Sequence, residues 1–420
     1  MIRSLAISGA ALAGCALALP SLAHAETLRE AIAAAYATNP VLAEAQARQD
    51  ALEEAPQQAR ADGRLTLSAT ADGGYDDIGD GGSGNADLRA ELPIWTGGRV
   101  SSSVRAASAD VAAGAQALRD SEAAMLERVV AAYANLLFAQ EAVEVARIGI
   151  ERLDRQVDEA QSRFDLGEAT RTDVAQLEAQ RSSVIANLAD AEAALASSRV
   201  TYLAVVGRTA GALESDVPPP ALLPADLAAA RAFAAEANPR LLERLSIADA
   251  SAARIDRARA GGAPSVGVSG IYGRTLRETG GEMRSYDSAA TLGVTLRIPL
   301  LTGGLVSSQI REAEATFRAD RYAVLAEERE TIRFVDSSWA ELNAATQREQ
   351  ASREGLQAAQ LALDGVRAEY EYGLRSTLDI LLAEQSYRSA QLALARAHSD
   401  VLIAQAALLR ATGRLDARAY

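Results

Sequence analysis

The sequence predicts a mostly helical, membrane-associated chain built from two similar halves. Each half has a helical start, two β-strands and a long α-helical hairpin. Three observations predict this: motifs recur 206 residues apart, strand-like segments alternate apolar and polar residues, and two proline-free stretches of 64 residues are rich in helix-forming residues.

The duplication is visible in several independent motifs. Residues 164–180, "FDLGEATRTDVAQLEAQ", resemble residues 370–385, "YEYGLRSTLDILLAEQ", at an interval of 206 residues. The same interval separates "LPIWTGGRV" from "IPLLTGGLV" and "VGR" from "TGR". A further pair, "TNP" and "ANP", is offset by 199 residues. We therefore divide the chain into a leader at 1–25 and two repeats at 26–217 and 218–420.

The first 25 residues resemble a secretory signal peptide. They contain one early positive charge at Arg3, an apolar run and an Ala-x-Ala sequence that ends at Ala25. The sequence "LAGC" offers an alternative, lipidation at Cys15. We expect cleavage after Ala25, because the apolar run continues beyond Cys15.

The composition after the leader excludes several chemistries. No cysteine remains, one histidine remains at His398, and 41 arginines face 56 acidic residues, a net charge of −15. The acidity argues against a nucleic-acid partner. With no nucleophile beside a histidine, no metal-ligand cluster and no phosphate-binding loop, we expect neither an enzyme nor a cofactor.

The elements follow the same order in each repeat. A helix begins at Asn39-Pro40 and at Asn238-Pro239, where asparagine caps and proline suits the first turn. Strands follow at about 64–77, 85–95, 264–277 and 287–300, and long helices at about 98–206 and 304–412.

The strands predict the route into the membrane. After the leader there is no apolar run of 18 residues, so no spanning helix is predicted, whereas each strand pair has one apolar face. Four strands cannot close a barrel, so several chains must combine their strands. A conducting barrel favours at least three chains, since eight-stranded barrels are filled by side chains.

The duplicated layout, the Pro-x-x-Thr-Gly-Gly entries into the long helices, and the turns at Gly167 and Gly373 together resemble the TolC-type outer-membrane efflux and type I secretion channels. The resemblance implies a homotrimer with a twelve-stranded membrane β-barrel and an α-helical periplasmic tunnel. It also implies a passive exit duct in the bacterial outer membrane, which works with a periplasmic adaptor (membrane-fusion) protein and an inner-membrane ABC or RND-type transporter.

The resemblance also implies roles for residues near the two glycine turns. A periplasmic gate is implied at Thr172, Asp173, Tyr370 and Arg375, and an entrance acidic ring at Asp379. The tip turns that contact the adaptor would be Leu166, Gly167, Glu168, Tyr372, Gly373 and Leu374. Some members carry a second acid where this chain has Leu382, so we expect a weaker acidic ring. Without the resemblance, the charged residues are ordinary solvated helix charges.

Two alternatives remain open. The main prediction is an exit duct for type I protein secretion, for efflux of small molecules, or for both. The alternatives are an outer-membrane component for drug efflux only, and a periplasmic coiled-coil structural protein that conducts nothing. Strands with one apolar face favour the duct, because a periplasmic structural protein has no use for them. We lean slightly to secretion, since the simple leader and the "LREAIAAAYATNP" start resemble the secretion branch.

Overall fold

The computed structural model describes residues 25–76, 81–279, 282–285 and 288–420. The leader up to residue 24, with Cys15 and the alternative of lipidation, lies outside the described residues. So do short parts of the loops between the predicted strands.

The two repeats have matching elements. The first contains α1 (Leu28–Thr38), α2 (Pro40–Glu53), α3 (Ala55–Ala61), β1 (Thr66–Asp76), β2 (Gly81–Trp95), α4 (Arg99–Asp165) and α5 (Arg171–Val206). The second contains α6 (Leu227–Ala237), α7 (Pro239–Ala260), β3 (Ser265–Thr279), β4 (Glu282–Ser285), β5 (Ala289–Arg297), α8 (Leu305–Glu371) and α9 (Thr377–Ala411). Helices α4 and α8 each have 67 residues, a length of about 100 Å.

The Asn-Pro sequences begin helices in both repeats, as predicted. The Asn39 side chain accepts a hydrogen bond from Val41 N at 3.0 Å, and the Asn238 side chain accepts one from Arg240 N at 3.0 Å. Each asparagine also donates to the end of a long helix, Asn39 to Val205 O at 3.0 Å and Asn238 to Ala411 O at 2.9 Å. One residue type therefore caps a short helix and ties it to the hairpin in each repeat.

The strands form one antiparallel sheet in the order β1-β2-β3-β5, and β4 pairs with the far end of β3. The register aligns apolar residues across the sheet, in rows such as Ala69, Leu88, Tyr272 and Ala290. The alternating rows are more polar, for example Ser68, Arg89, Ile271 and Thr291. Strand β4 was not predicted from the sequence.

The Thr-Gly-Gly sequences convert strand into helix. Gly97 and Gly98 have φ angles of 61° and 87°, and Gly303 and Gly304 have φ angles of 59° and 83°. Residues that carry a side chain rarely adopt such φ angles, so the paired glycines permit the change of direction. Gly98 and Gly304 are the N-cap residues of α4 and α8, so the sheet leads directly into the long helices.

The largest core lies midway along α4, where α1 packs against α4 and α5 and apolar residues of α9 join the same cluster. Tyr133 and Tyr202 are fully buried there, and the Tyr133 hydroxyl lies 2.8 Å from both Glu26 O and Glu214 O. This core fixes the start of the described chain, and the linker between the repeats, onto the long helices.

Two helices bear on the prediction that no helix spans a membrane, which stays a prediction. By length and composition alone, α4 and α9 each contain an 18-residue stretch that passes this test. However, 56% of the stretch in α4 and 50% of that in α9 is buried inside the protein. Packing in the core accounts for their apolar character, as it does for core helices of water-soluble proteins.

Gly373 and Gly413 each follow the C-cap residue of a long helix, so they give a matched test of backbone strain. Gly373 and Gly413 have φ angles of 72° and 70°, but a Cβ at Gly413 would lie 2.2 Å from Ala237 O, whereas nothing lies within 4 Å at Gly373. We expect Gly373→Ala to lower stability by about 1 kcal/mol, through backbone strain alone. Gly413→Ala should cost about 3 kcal/mol, because the clash is added.

Thermal unfolding of both variants in detergent, monitored by circular dichroism, measures the difference in stability between them. Equal losses of stability in the two variants would contradict this account of Gly413.

Candidate functional site

The two hairpins reverse direction in the same way. After α4, Gly167 N donates to Phe164 O at 2.9 Å and Glu168 N donates to Arg163 O at 2.8 Å. After α8, Gly373 N donates to Tyr370 O at 2.9 Å and Leu374 N donates to Glu369 O at 2.9 Å. This pair of bonds is the Schellman motif. Gly167 has a φ of 78° and Gly373 a φ of 72°, positive values that glycine adopts without steric cost.

The tips of the hairpins present apolar side chains to solvent. Leu166 is 76% exposed, Tyr372 82% and Leu374 74%, and Gly167 and Glu168 are also exposed. Large apolar side chains grouped at one end of a molecule mark a surface for binding. The structure therefore provides an exposed apolar surface where the sequence analysis placed the adaptor contact.

Asp173 and Asp379, which were predicted as a gate residue and a ring residue, occupy equivalent capping positions. Asp173 Oδ2 accepts from Thr170 N at 3.0 Å and Thr170 Oγ1 at 2.7 Å. Asp379 Oδ2 accepts from Ser376 N at 2.9 Å and Ser376 Oγ at 2.8 Å. Both are capping boxes, which begin α5 and α9. Sequence reasoning did not identify this local role, although Thr-x-x-Asp and Ser-x-x-Asp signal it.

These hydrogen bonds stabilise the ionised carboxylates. Those from the Thr170 hydroxyl and backbone lower the pKa of Asp173, and nearby Arg163 lowers it further. Those from the Ser376 backbone and hydroxyl lower the pKa of Asp379, with a smaller contribution from Arg375. Both carboxylates are therefore negatively charged at neutral pH.

The chain does not bring Arg375 and Asp173 together. Arg375 Nε instead donates to Glu369 Oε2 at 2.6 Å, and both side chains are half exposed. Thr172 lies exposed in the first turn of α5. Within one chain, the predicted gate residues Asp173 and Arg375 each bond to their own hairpin.

Arg163 makes the contact between the hairpins that sequence reasoning missed. Its Nη1 donates to the Tyr370 hydroxyl at 3.0 Å, and its guanidinium carbon lies 5.5 Å from the centre of the Tyr370 ring. Arg163 corresponds in the duplication to Glu369, the partner of Arg375. This change from a basic to an acidic residue between the repeats was the signal in the sequence that could have identified the contact.

The site offers exposed apolar side chains, carboxylates and guanidinium groups. Among the residues that the structure describes, no group of three or more His, Cys, Asp and Glu side chains could hold a metal ion. His398 lies far along α9, with ring nitrogens 3.5 Å from Glu349 Oε1 and 3.3 Å from Ser215 O. Its surroundings are those of a packed helix residue.

Comparison with known proteins shows which protein family this chain resembles. The model of the outer membrane efflux protein family matches residues 31–208 and 233–414. The chain is 33% identical over 338 residues to the outer membrane efflux protein BepC of Brucella suis, covering 80% of this chain and 73% of BepC. It is 29% identical over 304 residues to the alkaline protease secretion protein AprF of Pseudomonas aeruginosa, covering 70% and 62% of the two chains.

The solved structure of the outer membrane protein VceC from Vibrio cholerae superposes with a TM-score of 0.76 at 21% identity, covering 92% of this chain and 96% of VceC. These findings confirm the TolC-type fold and the outer-membrane location with an extension into the periplasm. The family consists of channels rather than enzymes. The chain belongs to the outer membrane efflux protein family.

Proposed function

We propose that three copies of this chain form a passive exit duct across the outer membrane and periplasm. The observation that carries the proposal is the sheet, which has one apolar face and outer strands β1 and β5 that each pair on one side only. An open sheet edge in lipid leaves backbone groups without hydrogen bonds, at a cost of several kcal/mol each. Pairing β5 of one chain with β1 of the next removes both edges.

The long helices support the same assembly. Helix α4 packs against α5 and α9, and α9 packs against α8, so α5 and α8 are the outer members of the layer. Both carry exposed apolar side chains, among them Val200 on α5 and Tyr322 and Leu361 on α8. Joining neighbouring chains through these helices continues the closure of the sheet. Three copies give twelve strands, whereas two give eight and a barrel filled by side chains.

The duct works with two partners. The exposed apolar tips at 166–168 and 372–374 bind a periplasmic adaptor protein, and an inner-membrane transporter of the ABC or RND type supplies the energy. Apolar residues displayed on rigid turns suit such a contact, because little conformational freedom is lost on binding. No nucleic acid is involved, and the lipid bilayer surrounds only the strands.

Polar bonds near the tips hold the entrance closed. In the assembly, Arg375 exchanges its bond with Glu369 for one with Asp173, while Thr172 and Tyr370 lie beside this contact. An Arg–carboxylate bond is charge-assisted and directional, so it suits a contact that must form and break in one geometry. The ionised state of Asp173 supports this role.

Asp379 supplies a weaker acidic ring at the entrance. Its carboxylate is committed to the Ser376 cap, and the position one turn further carries Leu382, which is 57% exposed. Three copies of a single carboxylate favour cations modestly.

For the cargo, we propose secreted protein first, with small-molecule efflux as the second candidate. AprF, whose name assigns it to secretion of alkaline protease, favours the first, and BepC, named as an efflux protein, favours the second. Deletion of the gene, followed by analysis of the culture supernatant and of drug susceptibility, separates them. Loss of a secreted protein at unchanged susceptibility supports secretion, whereas the reverse pattern supports efflux.

Single-channel conductance in planar bilayers tests the duct and the gate. We expect small openings for the purified mature protein and larger openings for Asp173→Ala and Arg375→Ala, because each change removes the same bond. Glu369→Gln is the matched control, since it removes only the partner that Arg375 has within its own chain. Large openings in Glu369→Gln would contradict the exchange of partners, and no conductance from folded trimers would contradict the duct.

The gate should also depend on pH. Because the folded-state pKa of Asp173 is lowered, its ionic contact is fully present above the ordinary pKa and is lost as the pH falls through the folded value. We expect large openings to become frequent only below about pH 4. Thr170→Val removes one hydrogen bond to the carboxylate and should move this transition to higher pH.

Conductance recorded from neutral to acidic pH measures the transition, with Asp173→Asn as a control that should open at every pH. A transition at lower pH in Thr170→Val would contradict the assigned cause.

A further inference from the structure

We propose that Glu384 is the residue that positions the second helical hairpin against the first and so determines how tightly the entrance closes. This inference rests on the proposed exit duct. Glu384 lies in α9 and is only 1% exposed. Its Oε1 accepts from Arg367 Nη2 of α8 at 2.8 Å and from Gln156 Nε2 of α4 at 2.9 Å. One carboxylate therefore ties three helices together.

A second arginine completes the cluster. Arg388 Nη1 lies 3.8 Å from Glu384 Oε2, and its side chain is 13% exposed. Burial lowers the pKa of Arg388, and the charge of Glu384 acts in the opposite direction. A buried carboxylate between two guanidinium groups is costly to disturb, because removal of one partner leaves the others uncompensated.

The α4 helix is adapted to this contact. Gly149 lies in the interior of α4, where glycine is less favourable than alanine by about 1 kcal/mol. A Cβ at this position would lie 3.1 Å from Cδ of Arg388. The missing side chain lets Arg388 of α9 approach α4 closely, so the polar cluster and the helix spacing depend on each other.

The carboxylate and both arginines of the cluster lie in the second repeat. The residue that corresponds to Glu384 is Glu178, which is exposed, and the positions of Arg367 and Arg388 are occupied in the first repeat by Gln161 and Ser182. The capping boxes are the same in both repeats, so the turns do not require this cluster. The difference gives the second hairpin a contact with the first that has no reciprocal counterpart.

The surroundings make the contact important for closure. A cavity of about 220 Å³ lies between the hairpins, lined by Gln156, Arg367 and the gate residue Tyr370 among others. Side chains therefore do not fill the space between the cluster and the gate. Leu381, which packs with Leu177 and Leu153, is the apolar contact that fastens the start of α9 beside Glu384.

Three substitutions test the proposal in the purified, full-length mature protein. Glu384→Gln keeps the shape and removes the charge, and Gln156→Leu removes only the bond to α4. Glu178→Gln is the control at the corresponding exposed position. Two measurements are made on each: hydrogen–deuterium exchange of residues 377–388 in detergent, and single-channel conductance.

We expect exchange of residues 377–388 to be about tenfold faster in Glu384→Gln and Gln156→Leu, together with larger openings, and the control to behave as the wild type. A structural role alone would raise exchange and leave the openings unchanged, and that result would overturn the proposal. Unchanged exchange in both test variants would overturn it as well. If no variant conducts, wild type included, the exit duct and the gating role both fail, whereas faster exchange would still locate the hairpin contact.

Discussion

The need to pair every backbone group in lipid is the constraint on which the rest of this structure depends. The sheet has one mainly apolar face, but among the residues that the structure describes β1 and β5 each pair on one side only, so we expect a single chain to be incomplete in a membrane. Each hairpin of strands continues through paired glycines into a helix of 67 residues. In the proposed trimer, closure of the sheet also closes the ring of helices, so the tunnel follows from a requirement in the bilayer.

Local geometry was predictable because residue identity encodes it. Positive φ angles at Gly167 and Gly373, and asparagine caps at Asn39 and Asn238, follow from chemistry that acts within a few residues. The choice of partner for a long charged side chain is not local. The bond of Arg375 to Glu369 and the burial of Glu384 depend on distances between helices, and sequence periodicity does not specify those distances.

The duplication explains where prediction succeeded and where it failed. Both repeats keep the same turns, caps and helix lengths, so each repeat predicts the other. The charges have diverged: Arg163 stands opposite Glu369 in the alignment of the repeats, and Gln161 and Ser182 stand opposite Arg367 and Arg388. Shared backbone chemistry preserves two similar hairpins, whereas their side chains make different contacts.

The polar contacts of the second hairpin differ in strength along its length. The bond of Arg375 at the tip is an exposed ion pair, a class that contributes little to stability, so it can break and re-form readily. Loss of a partner from a buried cluster costs about 3 to 5 kcal/mol, so the contact at Glu384 is the firmer one. Glu384 lies seven residues into α9, about 10 Å from the start of the helix. We therefore expect the turn before α9 to move most readily, because Leu381 and the buried carboxylate of Glu384 both hold the start of the helix that follows it.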